Sequence, residues 1–211
     1  MPYIYLILSL ITSYLIGSIP TGYIFGRMLK GIDIRHYGSG NMGATNAMRV
    51  LGKKVGISVL LIDILKGFLA VLFIGSWCAQ STSIFSSELT RLLIGVSSIL
   101  GHTWTVFLKF KGGKGIATTL GVFLAMAIKI KGLGLGLGLV LLIWILVFVL
   151  SRIVSLASII ASISFPLIML IFKQSQILFF VTLLVALFVI YKHKSNVHRL
   201  LQRKEPRLKF K

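Results

Sequence analysis

Long apolar runs alternate along the chain with short stretches dense in glycine, asparagine, lysine and arginine. Bounded by charge, glycine or polar residues, seven such runs cover 3–25, 55–77, 89–107, 116–128, 133–150, 153–172 and 177–191. Most come close to the ~20 residues that a helix needs to cross a ~30 Å hydrocarbon layer. The pattern therefore predicts an all-α polytopic membrane protein of about seven transmembrane helices, with residues 1–211 forming a single integral membrane domain. The fourth run has 13 residues, short for a full span, and is expected to be partly re-entrant or to extend into its flanks. An odd number of crossings places the termini on opposite sides.

Composition agrees with the pattern. Apolar residues make up 56% of the chain and the mean hydropathy is +0.96, beyond the roughly 45–50% apolar content of an average soluble domain. The N-terminus, "MPYIYLILSLITSYLIGSIPTGY", lacks the basic start of a signal peptide and is expected to be a retained first helix. One cysteine, Cys78, excludes an internal disulfide framework and a multi-cysteine metal site.

The net charge of +19 invites a nucleic-acid reading, but the basic residues sit between apolar runs, as in cytoplasmic loops beside anionic lipid. No nucleic-acid partner is expected. With the N-terminus outside, 18 of the 23 basic residues fall in cytoplasmic loops or the tail. The positive-inside rule selects this orientation, with a cytoplasmic C-terminus.

Three polar islands then share the cytoplasmic side. The first, "RHYGSGNMGATNAMRVLGKK", begins with a glycine-rich turn containing Ser39, Gly40, Asn41 and Gly43. It matches the dinucleotide fingerprint G-x-G-x-x-G, but no strand precedes it, so that reading fails. What remains is a turn exposing backbone N–H groups at a helix start, a place that attracts anions. Thr45, Asn46 and Arg49 share one helical face there and make candidate phosphate contacts.

The second island, "GHTWTVFLKFKGGKGIATTLG", sets Gly112, Gly113 and Gly115 around Lys114 before a hydrophobic helix. It is not a Walker A loop, because Gly115 stands where Ser or Thr is needed, yet it repeats the anion-site logic around a cation. In the third, "YKHKSNVHRLLQRKEPR", continuation of the last helix puts His193, Asn196 and Arg199 on one face. Outside the islands, Asp63 and Lys66 are spaced to form an ion pair within the second apolar run. The patch "GLGLGLG" at 132–138 is read as a helix that is easily bent or closely approached, and is assigned no chemistry.

The segments "GSGNMGATNAMR", "GHTWTVFLKFKGGKGIAT" and "HKSNVHRLLQRKEPR" resemble, in order and character, the three motifs of the PlsY family. These are bacterial membrane glycerol-3-phosphate acyltransferases that use acyl phosphate. The resemblance extends through "GSIPTGY", "DIR", "DILKG" and "VSLAS" to nearly the whole chain. It departs at Thr105, where the family commonly has proline, and at Arg203, where it commonly has glycine. The resemblance implies a seven-helix fold in the bacterial inner membrane with a cytoplasmic active site. It also implies that acyl phosphate and glycerol 3-phosphate are substrates and lysophosphatidic acid and phosphate are products. Carried over by motif position, Ser39, Arg49, Lys114, Ser155, His193 and Asn196 are expected to hold the two phosphate-bearing substrates. Ser39, Lys114, His193 and Asn196 are the catalytic candidates among them.

The histidine–aspartate dyad of many other acyltransferases is absent, since Asn41, Phe107, His198 and Arg203 stand five residues after the four histidines. Acyl phosphate is already activated, so positioning and charge stabilisation can supply most of the acceleration. No cofactor and no metal are expected. The rival readings are a transporter or channel for an organic phosphate, and a lipid-binding adaptor whose basic loops recruit partners. Transporters often show paired halves with sites near the midplane; this chain shows no halves and keeps its polar islands at one face.

Overall fold

The structure, a computed structural model, describes residues 1–208 and is built of helices joined by loops, with no strand among the described residues. All seven apolar runs fall on helices. The chain divides into two compact units, Met1–Met126 and Ala127–Lys211.

The first unit opens with α1 (Pro2–Ser18) and α2 (Thr21–Lys30), which the apolar pattern reads as one run. Pro20 separates them. Proline has no N–H to donate and steers the preceding residue out of the helical region; Ile19 accordingly sits at φ −54°, ψ 113°. The carbonyls at the break find donors elsewhere: Lys66 Nζ donates to Ile19 O at 2.9 Å and Thr105 Oγ1 to Ser18 O at 2.6 Å. Beyond the first glycine-rich turn come α3 (Ala44–Leu51) and α4 (Lys53–Leu69), which passes through a wide π-turn (Ala70–Gly75) into α5 (Ser76–Ser81). Then α6 (Ser87–Thr103) starts at Ser86, whose hydroxyl accepts from Leu89 N at 3.2 Å.

In lipid the hydrophobic effect does not draw helices together, so close packing and hydrogen bonds must. Helices α1 and α6 use both. A Cβ at Gly17 would run into the Ser98 backbone, and one at Gly101 into the Tyr14 carbonyl, so the two backbones nearly touch. Across the same seam Ser13 Oγ donates to Ile94 O at 2.6 Å, Ser97 Oγ to Leu10 O at 2.8 Å and the Tyr14 hydroxyl to Trp104 O. The division between units falls within α7 (Ile116–Lys129).

The second unit holds α8 (Leu133–Ser151), α9 (Val154–Ile171), α10 (Gln176–Lys192) and α11 (Lys194–Leu201). The glycine run lies in the first two turns of α8, where Gly136 alone packs closely on Met169 and Ile168 of α9. Trp144 Nε1 on α8 donates to Ser158 Oγ on α9 at 3.2 Å. Instead of continuing straight, α10 bends by 64° into α11 at His193. Among the described residues, five helical segments are long and apolar enough to cross a membrane, with α1–α2 and α4–α5 each taken as one, and six if the bent α10–α11 pair is one span; α7 is a shorter apolar helix.

Candidate active site

In the first unit the loop between α2 and α3 is built around two short-range devices. Asp33 begins a turn of 3-10 helix (Ile34–His36) by accepting from Arg35 N at 3.0 Å, and the Arg35 guanidinium grips the same carboxylate, Nη2 to Oδ2 at 2.7 Å. Hydrogen bonding from Arg35 holds the Asp33 carboxyl down at about 2. The second device is Asn46. Its Nδ2 donates to the carbonyls of Ile34 (3.2 Å), Tyr37 (3.0 Å) and Asn41 (2.7 Å), and its Oδ1 accepts from Ser39 N at 2.8 Å.

The glycine turn is thus folded over the side chain of Asn46. Gly38 and Gly40 take φ of 60° and 71°, the left-handed region that other residues avoid. Asn41 Oδ1 accepts from Gly43 N at 2.8 Å, and Gly43 is the N-cap of α3. Ser39 and Arg49 are exposed, Gly43 and Thr45 half-buried, and Asn46 is turned inward. Of the face predicted from Thr45, Asn46 and Arg49, the middle residue shapes the loop from within.

The second island is also in this unit. After α6 the chain makes a turn of 3-10 helix (Val106–Leu108), with Lys109 and Phe110 in the left-handed region. It then folds back so that Gly112 N donates to Thr103 O at 3.1 Å and Gly113 N to His102 O at 3.0 Å. Lys114 follows, half-buried, two residues before α7 begins at Ile116. A cation stands directly before a helix N-terminus, an arrangement suited to an anion.

The third island belongs to the second unit. Ser155 lies in the first turn of α9, His193 at the α10–α11 bend and Asn196 in the first turn of α11; all three are buried. His193 Nδ1 faces Val189 O at 2.8 Å, which places its proton on that nitrogen. The organiser is a residue that the sequence reading did not single out, Glu205. Its Oε1 accepts from Ser155 Oγ at 2.7 Å and Asn196 Nδ2 at 2.6 Å, and its Oε2 from Arg199 Nε at 2.6 Å. Burial pushes the Glu205 carboxyl up, but these three hydrogen bonds outweigh it and hold it below the usual range. The available signal was a lone acid in a strongly basic tail.

Both units therefore carry ordered polar clusters at the positions of the three motifs. The family described as glycerol-3-phosphate acyltransferase matches residues 7–203. The chain belongs to that family. A curated glycerol-3-phosphate acyltransferase of Fusobacterium nucleatum is 42% identical over 201 residues, 95% of this chain and 97% of that protein. One of Prochlorococcus marinus is 44% identical, covering 96% and 98%. Two crystal structures of PlsY, an integral membrane glycerol 3-phosphate acyltransferase, are similar throughout. Its glycerol 3-phosphate form matches with TM-score 0.84 at 39% identity, covering 97% of this chain and 96% of that one. Its lysophosphatidic acid form matches with TM-score 0.81 at 38% identity, covering 97% and 95%. Membership in the acyltransferase family sets aside the transporter reading.

Proposed function

We propose that this chain transfers a fatty acyl group from acyl phosphate to the 1-hydroxyl of sn-glycerol 3-phosphate, giving lysophosphatidic acid and phosphate. The carrying observation is full-length identity above 40% to acyltransferases named for this acceptor. The ordered state of all three motif clusters supports it.

The hydroxyl oxygen attacks the acyl carbonyl, the new ester C–O bond forms and the bond to the phosphate oxygen breaks. The electron pair leaves with phosphate, which also accepts the hydroxyl proton, so no protein base is required. Arg49 and Lys114 neutralise substrate phosphates, Arg49 with a planar fork suited to bidentate contact. The Ser39 hydroxyl and the Asn41 N–H hydrogen-bond the acyl phosphate, with Thr45 beside them; Gly40 and Gly43, whose own N–H groups are held within the turn by Tyr37 O and Asn41 Oδ1, shape that turn together with Asn46. Gly112 and Gly113 bring Lys114 into place. Ser155, His193 and Asn196 orient glycerol 3-phosphate. Residues 1–211 act as one acyltransferase domain in the bacterial inner membrane, with seven crossings, the N-terminus outside and the catalytic residues on the cytoplasmic side. Neighbouring lipid is the remaining partner.

The test is a detergent assay of the purified protein with palmitoyl phosphate and glycerol 3-phosphate, following both products, with EDTA present and absent. The expected result is equal phosphate and lysophosphatidic acid, lost in Lys114→Ala and unaffected by EDTA. A folded wild type that makes neither product, at any chain length tried, overturns the assignment. Acyl-Ser39 trapped after one turnover overturns the direct mechanism.

A further inference from the structure

We propose that His102 is a positioning residue for the turn of Gly112, Gly113 and Lys114, oriented by buried Asp63 and acting on phosphate binding through that turn without touching substrate. The inference rests on the acyltransferase reading above.

Four polar side chains meet in the interior of the first unit: Thr21, Asp63, Lys66 and His102, none more than 4% exposed. Asp63 Oδ1 accepts from Thr21 Oγ1 at 3.0 Å and from Lys66 Nζ at 2.9 Å, and lies 3.7 Å from His102 Nδ1. The break between α1 and α2 accounts for two of the four. Lys66 caps Ile19 O and Thr21 opens α2. It does not account for an imidazole beside the same carboxylate oxygen.

The other edge of that ring meets the second motif. A Cβ on Gly113 would collide with His102 Nε2, with Cε1 at 2.9 Å and Cδ2 at 3.0 Å. The backbone of the same residue is tied in as well, because Gly113 N donates to His102 O. Gly113 is thus seated on both the ring and the carbonyl of one residue, immediately before Lys114. The ring is held between the Asp63 carboxylate, 3.7 Å from Nδ1, and the Gly113 turn against its Nε2 edge. An ordered floor of this kind matters because a phosphate-binding turn held in its bound geometry before substrate arrives does not have to be ordered on binding.

The experiment compares wild type with His102→Ala, His102→Gln, His102→Asn and Thr21→Val in detergent, measuring both KM values, kcat and the melting temperature. Gln places an amide where Nε2 lies, whereas Asn reaches only the Nδ1 position. The expected result for Ala is a rise of about tenfold in the KM of one phosphate substrate with kcat within about threefold, the mark of lost binding. Gln recovers most of that loss and Asn little. Thr21→Val, which removes a different contact to Asp63, lowers the melting temperature and leaves both KM values in place. Unchanged KM values in a folded Ala variant overturn the proposal. So does a Thr21→Val variant that raises KM as much as Ala does. If Ala fails to fold, equal KM values for Gln and Asn overturn it.

Protection of Lys111 and Lys114 from trypsin by inorganic phosphate gives the same ranking without turnover. A wild type that is protected yet makes no lysophosphatidic acid sinks the acyltransferase reading alone. A His102→Ala variant protected as well as wild type sinks this one.

Discussion

Asn46 and Glu205 show how one side chain can organise a segment that has no regular structure. Asn46 was legible as a polar residue on the right helical face, but sequence spacing does not reveal that its carboxamide turns inward to four backbone groups. Glu205 was less legible still, because its partners Ser155 and Asn196 lie 50 and 9 residues away. Glu205→Gln retains the shape and loses the charge-assisted bond from Arg199, which is itself 36% exposed and screened. The expected loss is about 1–2 kcal/mol in thermal unfolding at neutral pH. Because the native carboxyl is held below its ordinary value, the contribution is present at neutral pH and disappears as pH falls below the usual glutamate range. Asp33 follows the same sign with a defined window. Its pKa falls from 3.8 to about 2, so its stabilisation is complete above pH 3.8 and is lost as pH drops through 2. Proteolysis of the 31–43 loop in wild type and Asp33→Asn should differ at pH 5 and converge toward pH 2. A difference that grows on acidification contradicts the pairing with Arg35.

Element positions were the most legible feature, since an apolar run long enough to span a bilayer has few alternatives to a helix. Each of the seven runs is helical, and the predicted helix after the first glycine turn is α3. The interruptions were not legible. The π-turn at Ala70–Gly75 and the 64° bend at His193 leave no mark in hydropathy, and Pro20 lies inside a run whose apolar character continues past it. A break in a membrane helix persists only where its carbonyls find donors, and those donors are tertiary. Thr105 is the clearest case. At a position where the PlsY family commonly has proline, this chain places a fully buried hydroxyl that donates to Ser18 O at 2.6 Å. Thr105→Val keeps the shape and removes the donor, and should cost about 1 kcal/mol in thermal unfolding, in the range found for hydrogen bonds between membrane helices. Thr105→Pro loses the same bond but stiffens the turn, so it should be less destabilising than Val. A Val variant as stable as wild type would mean that Ser18 O finds another donor.

Across the whole chain, charge decides what hydropathy leaves open. The topology with seven crossings depends on α7, whose 14 residues extend about 21 Å at 1.5 Å per residue, short of the ~30 Å hydrocarbon layer. Lys129 ends the helix and Lys131 follows it, and long basic side chains near a helix end can reach the interface while the backbone remains deeper. A crossing α7 puts Lys131 outside, which gives up positive-inside charge at that one loop yet keeps 18 of 23 basic residues on the cytoplasmic side. The chain's one cysteine, Cys78, is buried, so replacing it with serine gives a background for single-cysteine labelling by a membrane-impermeant maleimide in intact cells. In that background Ser83→Cys and Lys131→Cys should label from outside, and Lys111→Cys only after the membrane is opened. Labelling of Lys111→Cys in intact cells inverts the proposed orientation. Labelling of Ser83→Cys but not Lys131→Cys would make α7 re-entrant and move both ends of α8 to the opposite sides. The charge balance argues against that outcome, because Arg152, at the end of α8, and the basic tail would no longer share the side occupied by Lys111 and Lys114.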